Sequence, residues 1–187
     1  MSKKTIWKLD PAHSEVSFKV KHMMISTVTG QFKEFDATLT TEGDTLDNAS
    51  LEAEIKVDSI DTKNGDRDNH LKSDDFFNAE AFPKITFEGG RRSGDKLEGS
   101  LHIRETSRKI PMQAEFNGPV VDPYGQTKAG VEIRGEINRK DFGLKWSAVT
   151  EAGNVVVSDT VKIIIDAQFI KQQAGAGIFL RQFFETN

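Results

Sequence analysis

The residues of this 187-residue chain with chemistry to offer are four histidines, His13, His22, His70 and His102, and a charged run of Arg67, Asp68, His70 and Lys72. Imidazole changes charge near neutral pH and ligates metals, while a guanidinium fork grips carboxylate or phosphate oxygens. The histidines are not spaced as local metal pairs, and the chain has no cysteine. Thiolate zinc sites, disulfides, CxxC redox chemistry and cysteine nucleophiles are excluded together. The acidic stretch over residues 58–68 fails as a calcium loop, because aligning Gly65 with the required glycine leaves Ile60 and Thr62 at ligand positions. GxSxG, GxxxxGK[ST] and HExxH are absent. No catalytic residue, metal or cofactor is expected.

Binding is the better use of these groups. His22 shares a strand face with Val16, Phe18 and Val20, which points it inward near the strand's end. It is either a core histidine bonded to backbone or a polar group at a cavity mouth. Arg67, Asp68, His70 and Lys72 form a solvated, internally paired cluster unless the segment folds over an opening.

The elements that must position these residues alternate with period two. Val16, Phe18, Val20 and His22 interleave with Glu15, Ser17, Lys19 and Lys21, and the pattern returns at 51–57, 101–103, 110–116, 131–137 and 161–169. Turn signals separate the runs: Gly43 between Glu42 and Asp44, Gly94 between Ser93 and Asp95, and the tetrads at 122–125 and 151–154. This spacing predicts an antiparallel sandwich or barrel without βαβ units. Residues 61–81 interrupt it with a polar insertion carrying a short helix around 67–74 and then Phe76 and Phe77. Long insertions on β scaffolds often carry function or cover an opening. His102 alternates with Leu101 and Ile103 and is expected outside.

The net charge of −4 argues against a nucleic-acid partner. The N-terminal MSKKTIWKLDPAHS has no apolar stretch, so a cytoplasmic protein is expected, or a periplasmic one if a signal was removed. One domain over 1–171 is expected, followed by an extension over 172–187. There Leu180, Phe183 and Phe184 could share a helical face, docking on the barrel itself or on a second subunit as a homodimer. Arg181 is the one basic residue of that helix, so membrane contact is expected to be transient at most. Thirteen Phe against two Trp and one Tyr make the aromatic set almost wholly apolar, fit for a dry core or a dry cavity.

WKLDPAHSEVSFKVKH (7–22), VTGQFKEF (28–35), SIDTKNGDRDNHLKSDDFF (59–77), FPKITFEG (82–89), INRKDFGL (137–144) and VSDTVKIII (157–165) together resemble the YceI-like family of lipocalin-like polyisoprenoid-binding proteins. The resemblance runs in matching order from about Ile6 to Lys171 and leaves the tail uncovered. It implies an all-β fold, an eight-stranded antiparallel lipocalin-like barrel holding a long apolar chain, with the short helical insertion and the C-terminal extension added. A polyisoprenoid or related amphiphilic lipid is the implied partner, and no enzymatic activity is implied. Within such a barrel the expected apolar lining is Phe18, Val20, Phe35, Phe76, Phe77, Phe87, Phe116, Phe142 and Trp146. The expected headgroup contacts are His22, Arg67, Asp68 and His70, with Asp68 orienting Arg67. An Arg fork suits a phosphate, and a neutral His suits a quinone or an amide. The rival reading is a packed-core barrel that recruits a protein partner through its outer face or tail.

Overall fold

A computed structural model describes residues 3–153 and 155–173, and the predicted tail helix with Leu180, Phe183 and Phe184 lies outside them. The described strands are β1 (Lys4–Leu9), β2 (Glu15–His22), β3 (Ser26–Phe32), β4 (Phe35–Glu42), β5 (Ser50–Lys56), β6 (Ile60–Asp61), β7 (Lys84–Ser93), β8 (Lys96–Ile103), β9 (Thr106–Val121), β10 (Thr127–Asn138) and β11 (Val157–Lys171). They form one antiparallel sheet that closes on itself where β1 pairs with β11.

These segments make eight staves. β11 is 15 residues long, and two short strands share one of its edges: Leu9 of β1 faces Phe169, and Val16 of β2 faces Ile165. β1 and β2 are thus one stave, interrupted by a 3-10 turn at Pro11–His13 whose N-terminus is capped by the Asp10 carboxylate. The next stave breaks at the same level. β3 pairs with β2, and β4 pairs with β1, with only Lys33 and Glu34 between them. β5 and β6 form the third stave, broken by a 3-10 turn at Val57–Ser59. The backbone stays paired across this break: Lys33 N–H donates to the Ser59 carbonyl and Lys56 N–H to the Glu34 carbonyl. β7 to β11 complete the ring as single strands, giving the closed eight-stranded antiparallel barrel that the sequence resemblance implied.

The two ends of the barrel differ. At one end Trp7, Leu39, Leu97, Val131 and Phe169 are fully buried and pack into a solid plug, with the Trp7 indole N–H donating to Thr41 Oγ1 at 2.9 Å. Burying such aromatic and aliphatic surface is the dominant stabilising term of the fold. Phe116 belongs to this closed end. Its phase along β9 is inward, but its ring stacks under the Arg92 guanidinium at 4.3 Å, and Arg92 donates to the Leu46 carbonyl. Toward the other end the inward side chains no longer meet. The helical insertion, α1 (Gly65–Lys72), lies across that end, two residues earlier than the predicted span.

Candidate functional site

The hollow end is built from the inward phase of several staves. Val16, Phe18 and Val20 of β2, Ile133 and Ile137 of β10, and Val161, Ile163 and Ile165 of β11 all face the interior. Phe87 of β7, Leu101 and Ile103 of β8, and Ile110 and Met112 of β9 close the opposite wall. The space not filled by protein atoms is about 1130 Å³ with its mouth included. Its enclosed part is about 170 Å³, below the roughly 300–1,000 Å³ of most ligand pockets, so the cavity is narrow. Among the described residues, Ser17 and Arg139 are the only polar ones in its lining.

Glycines keep it open. Phe18 faces Gly30 across the β2–β3 pair, and a Cβ at Gly30 would fall 2.2 Å from the Phe18 ring. Phe87 lies over Gly90 and Gly99 in the same way, and Met112 lies over Gly135. Each bulky side chain lies flat against the wall in the space its neighbour vacates.

Arg139 is 2% exposed, at the start of the 3-10 turn Arg139–Phe142. Its guanidinium donates to the carbonyls of Leu144, Trp146 and Ser158 at 2.6, 2.7 and 2.9 Å, and Asp159 stands 3.6 Å away. Burial pulls its pKa below the ordinary arginine value, and the Asp159 charge opposes that shift. With a longer bond from Nη2 to the Val157 carbonyl at 3.4 Å, the planar fork satisfies four carbonyls on two sides, stapling the 144–146 segment to the start of β11.

Beside the cavity lies a vestibule of about 700 Å³, mouth included. The two spaces share Phe18, Val20, Leu71, Phe76 and Val157, so they adjoin at these side chains. His22, Arg67, His70 and Trp146 line the vestibule, bringing together three of the four expected headgroup residues. The His70 ring stands edge-on to Phe76 and Trp146, at centroid distances of 5.1 and 4.9 Å, and its Nε2 is 2.8 Å from Asp75.

Asp68 is placed differently from expectation. It lines neither space, and its Oδ1 accepts from the Thr62 N–H and hydroxyl. Arg67 in turn donates Nε to Thr62 Oγ1 at 2.8 Å and Nη2 to the Thr62 carbonyl at 2.6 Å. Thr62 is therefore the hub, and Asp68 reaches Arg67 only through it. Asp61, next along the chain, is held below the usual carboxylate range by the Lys33 ammonium and by the Lys63 N–H. On the other side Arg104 fastens the segment after α1, donating to the carbonyls of Asp74 and Phe76 at 2.9 Å.

Of the expected apolar lining, Phe18, Val20, Phe76, Phe77 and Phe87 line the cavity, and Trp146 lines the vestibule. Phe35, Phe116 and Phe142 do not. Phe35 packs on the core from the head of β4, Phe116 closes the plugged end, and Phe142 is 1% exposed within the 3-10 turn after β10. Sequence reasoning missed Leu71, Met112, Arg139 and the β11 isoleucines. The inward glycines at Gly30, Gly99 and Gly135, each opposite a large inward residue, were the available signal. Among the described residues no group of three or more His, Asp or Glu is placed to hold a metal ion.

The fold and this hollow, apolar interior define a closed antiparallel β-barrel with one capped mouth. The chain belongs to the YceI-like family, whose domain model matches residues 7–169. A UPF0312 protein of Staphylococcus aureus is 39% identical over 168 residues, covering 88% of this chain and 97% of that protein. The YceI protein of Campylobacter jejuni superposes with a TM-score of 0.67 at 31% identity, over 82% of this chain and 90% of that one. A polyisoprenoid binding domain from Saccharophagus degradans, 16% identical, shares the fold with a TM-score of 0.66 over 89% of this chain and 98% of that domain.

Proposed function

We propose that the protein binds a long-chain apolar or amphiphilic lipid, of the polyisoprenoid, isoprenoid quinone or fatty amide or acid type, within the barrel, and that it is a carrier without catalytic activity. The observation that carries this reading is the narrow cavity, walled by aliphatic and Phe side chains and adjoining a vestibule edged by His22, Arg67 and His70. Burying apolar area is worth about 25 cal/mol per Å², so a flexible chain lying along such walls binds on burial alone. The same narrowness disfavours a broad, rigid ring system in the interior. Tail length is then loosely read, and the vestibule selects the headgroup. The name of the Saccharophagus domain agrees with a polyisoprenoid ligand, and so does membership of the YceI-like family.

Glycines that let Phe18, Phe87 and Met112 lie against the wall favour an open interior over a packed-core module that acts only through its outer face. The test is titration of lipid-stripped protein with an environment-sensitive isoprenoid probe. Saturable uptake is expected, and Ile163→Trp, which fills the cavity from β11, is expected to abolish it while the barrel stays folded. Absence of uptake by the wild-type protein would overturn the reading.

A further inference from the structure

At the mouth end, Met24, Ile25 and Val149 are 65%, 80% and 66% exposed, and Val155 is 40% exposed. Scattered exposed apolar residues are ordinary, but these are grouped on two adjoining turns. Met23 N–H, in the turn between β2 and β3, donates to the Val156 carbonyl at 2.8 Å. Val156 N–H reaches the Ala148 carbonyl at 3.0 Å, and Val149 bridges to Val155. His22 and Val156 both line the vestibule, so the apolar turns form its rim.

Charge on these two turns runs against that of the chain, and on the insertion at the same mouth Asp58, Asp61, Asp74 and Asp75 are each paired, with Lys72, Lys33, Arg104 and His70, while Asp66 adds an exposed carboxylate. Residues 19–29 and 143–157 contain Lys19, Lys21 and Lys145 and a single carboxylate, Glu151, in a chain of net charge −4. The three lysines are exposed, and no ion pair engages them among the described residues. Lys21 Nζ donates only to Thr27 Oγ1.

We propose that this rim is a membrane-docking surface. Met24, Ile25 and Val149 enter the boundary between headgroups and acyl chains, while Lys19, Lys21 and Lys145 meet anionic lipid. The vestibule then opens onto the bilayer, not onto water. This rests on the reading of the cavity as a lipid site, since a ligand insoluble in water needs a path that avoids it. A few apolar side chains and a few lysines are each weak anchors alone, so docking is reversible and needs both.

The test is flotation of the full chain with vesicles of equal parts phosphatidylcholine and phosphatidylglycerol, and with vesicles of phosphatidylcholine alone. Flotation with the anionic vesicles is expected, falling about tenfold in the Met24→Ser, Ile25→Ser double variant and on removal of the anionic lipid. Val120→Ser with Tyr124→Ser alters the exposed tip at the plugged end and is expected to leave flotation unchanged. Probe uptake without vesicles is expected to be normal in both variants. Wild-type protein that takes up probe but does not float overturns the docking surface and leaves the lipid reading standing. Equal loss in the plugged-end variant overturns it too, as does a wild-type dimer that the Met24 and Ile25 changes dissolve. Failure of probe uptake by every protein overturns the lipid reading itself.

Discussion

The Phe18 ring on β2 occupies the space that a side chain at Gly30 on β3 would need, its Cζ 2.2 Å from where that Cβ would be. Phe18 lines both the cavity and the vestibule, so this pair sets how much room remains where the two adjoin. Gly30→Ala must push the ring off the wall and into that space. Overpacking of this kind costs about 1–3 kcal/mol, and denaturant unfolding is expected to show it. Affinity for an isoprenoid probe should fall as well, and Phe18→Leu placed on the Gly30→Ala background is expected to restore much of it.

Arg139 shows its importance through the carbonyls it serves. Arg139→Leu leaves the acceptors of Leu144, Trp146 and Ser158 without their donor. A buried acceptor left unsatisfied costs about 1–3 kcal/mol, and the loss is measurable by denaturant unfolding. Arg139→Lys is not expected to rescue it, since a point-like ammonium cannot span carbonyls on both sides. Hydrogen exchange should accelerate at Leu144, whose N–H bonds to the Arg139 carbonyl, and at Val156.

Arg67 has a headgroup role to gain and a structural bond to lose. Arg67→Ala is expected to weaken binding of an isoprenoid diphosphate about tenfold or more while changing that of an uncharged isoprenoid alcohol little, since charge-assisted bonds to phosphate are among the stronger polar contacts. Paired titrations with the two ligands check it, and equal loss for both would assign Arg67 only to holding Thr62.

Much of this was legible in the alternation of residues. The face shared by Val16, Phe18 and Val20 is the cavity face, and the turns at Gly43, Gly94 and Gly125 fall where predicted, each with a positive φ. Phe116 shows where alternation stops informing. Its inward phase is correct, yet its height along the barrel puts it in the plug, and height depends on strand stagger, which period two does not encode. The breaks within three staves were likewise hidden, because they need only a short 3-10 turn or two residues such as Lys33 and Glu34. Asp68 follows Arg67 in sequence, but neighbours on a helix point apart, and Thr62 takes the place between them.

Asp122, at the β9–β10 tip, is held below the ordinary carboxylate value of 3.8 by the Gln126 N–H first, then by the Lys128 ammonium and the Tyr124 N–H. A carboxyl whose folded pKa is depressed contributes stability above its unfolded pKa and loses it as pH falls through the folded value. Carboxyl NMR titration should place Asp122 below the ordinary carboxylate value. Asp122→Asn is expected to destabilise the barrel at neutral pH and to converge with the wild type only in acid, below that folded pKa.

Whether the hollow end holds lipid is tested most directly by mass spectrometry of the protein isolated under native conditions, followed by organic extraction. A bound species with a long apolar chain, retained by the wild type and absent from Ile163→Trp, is the expected result. A wild-type mass equal to that of the bare chain, with nothing extractable and no probe taken up after refolding, would contradict it.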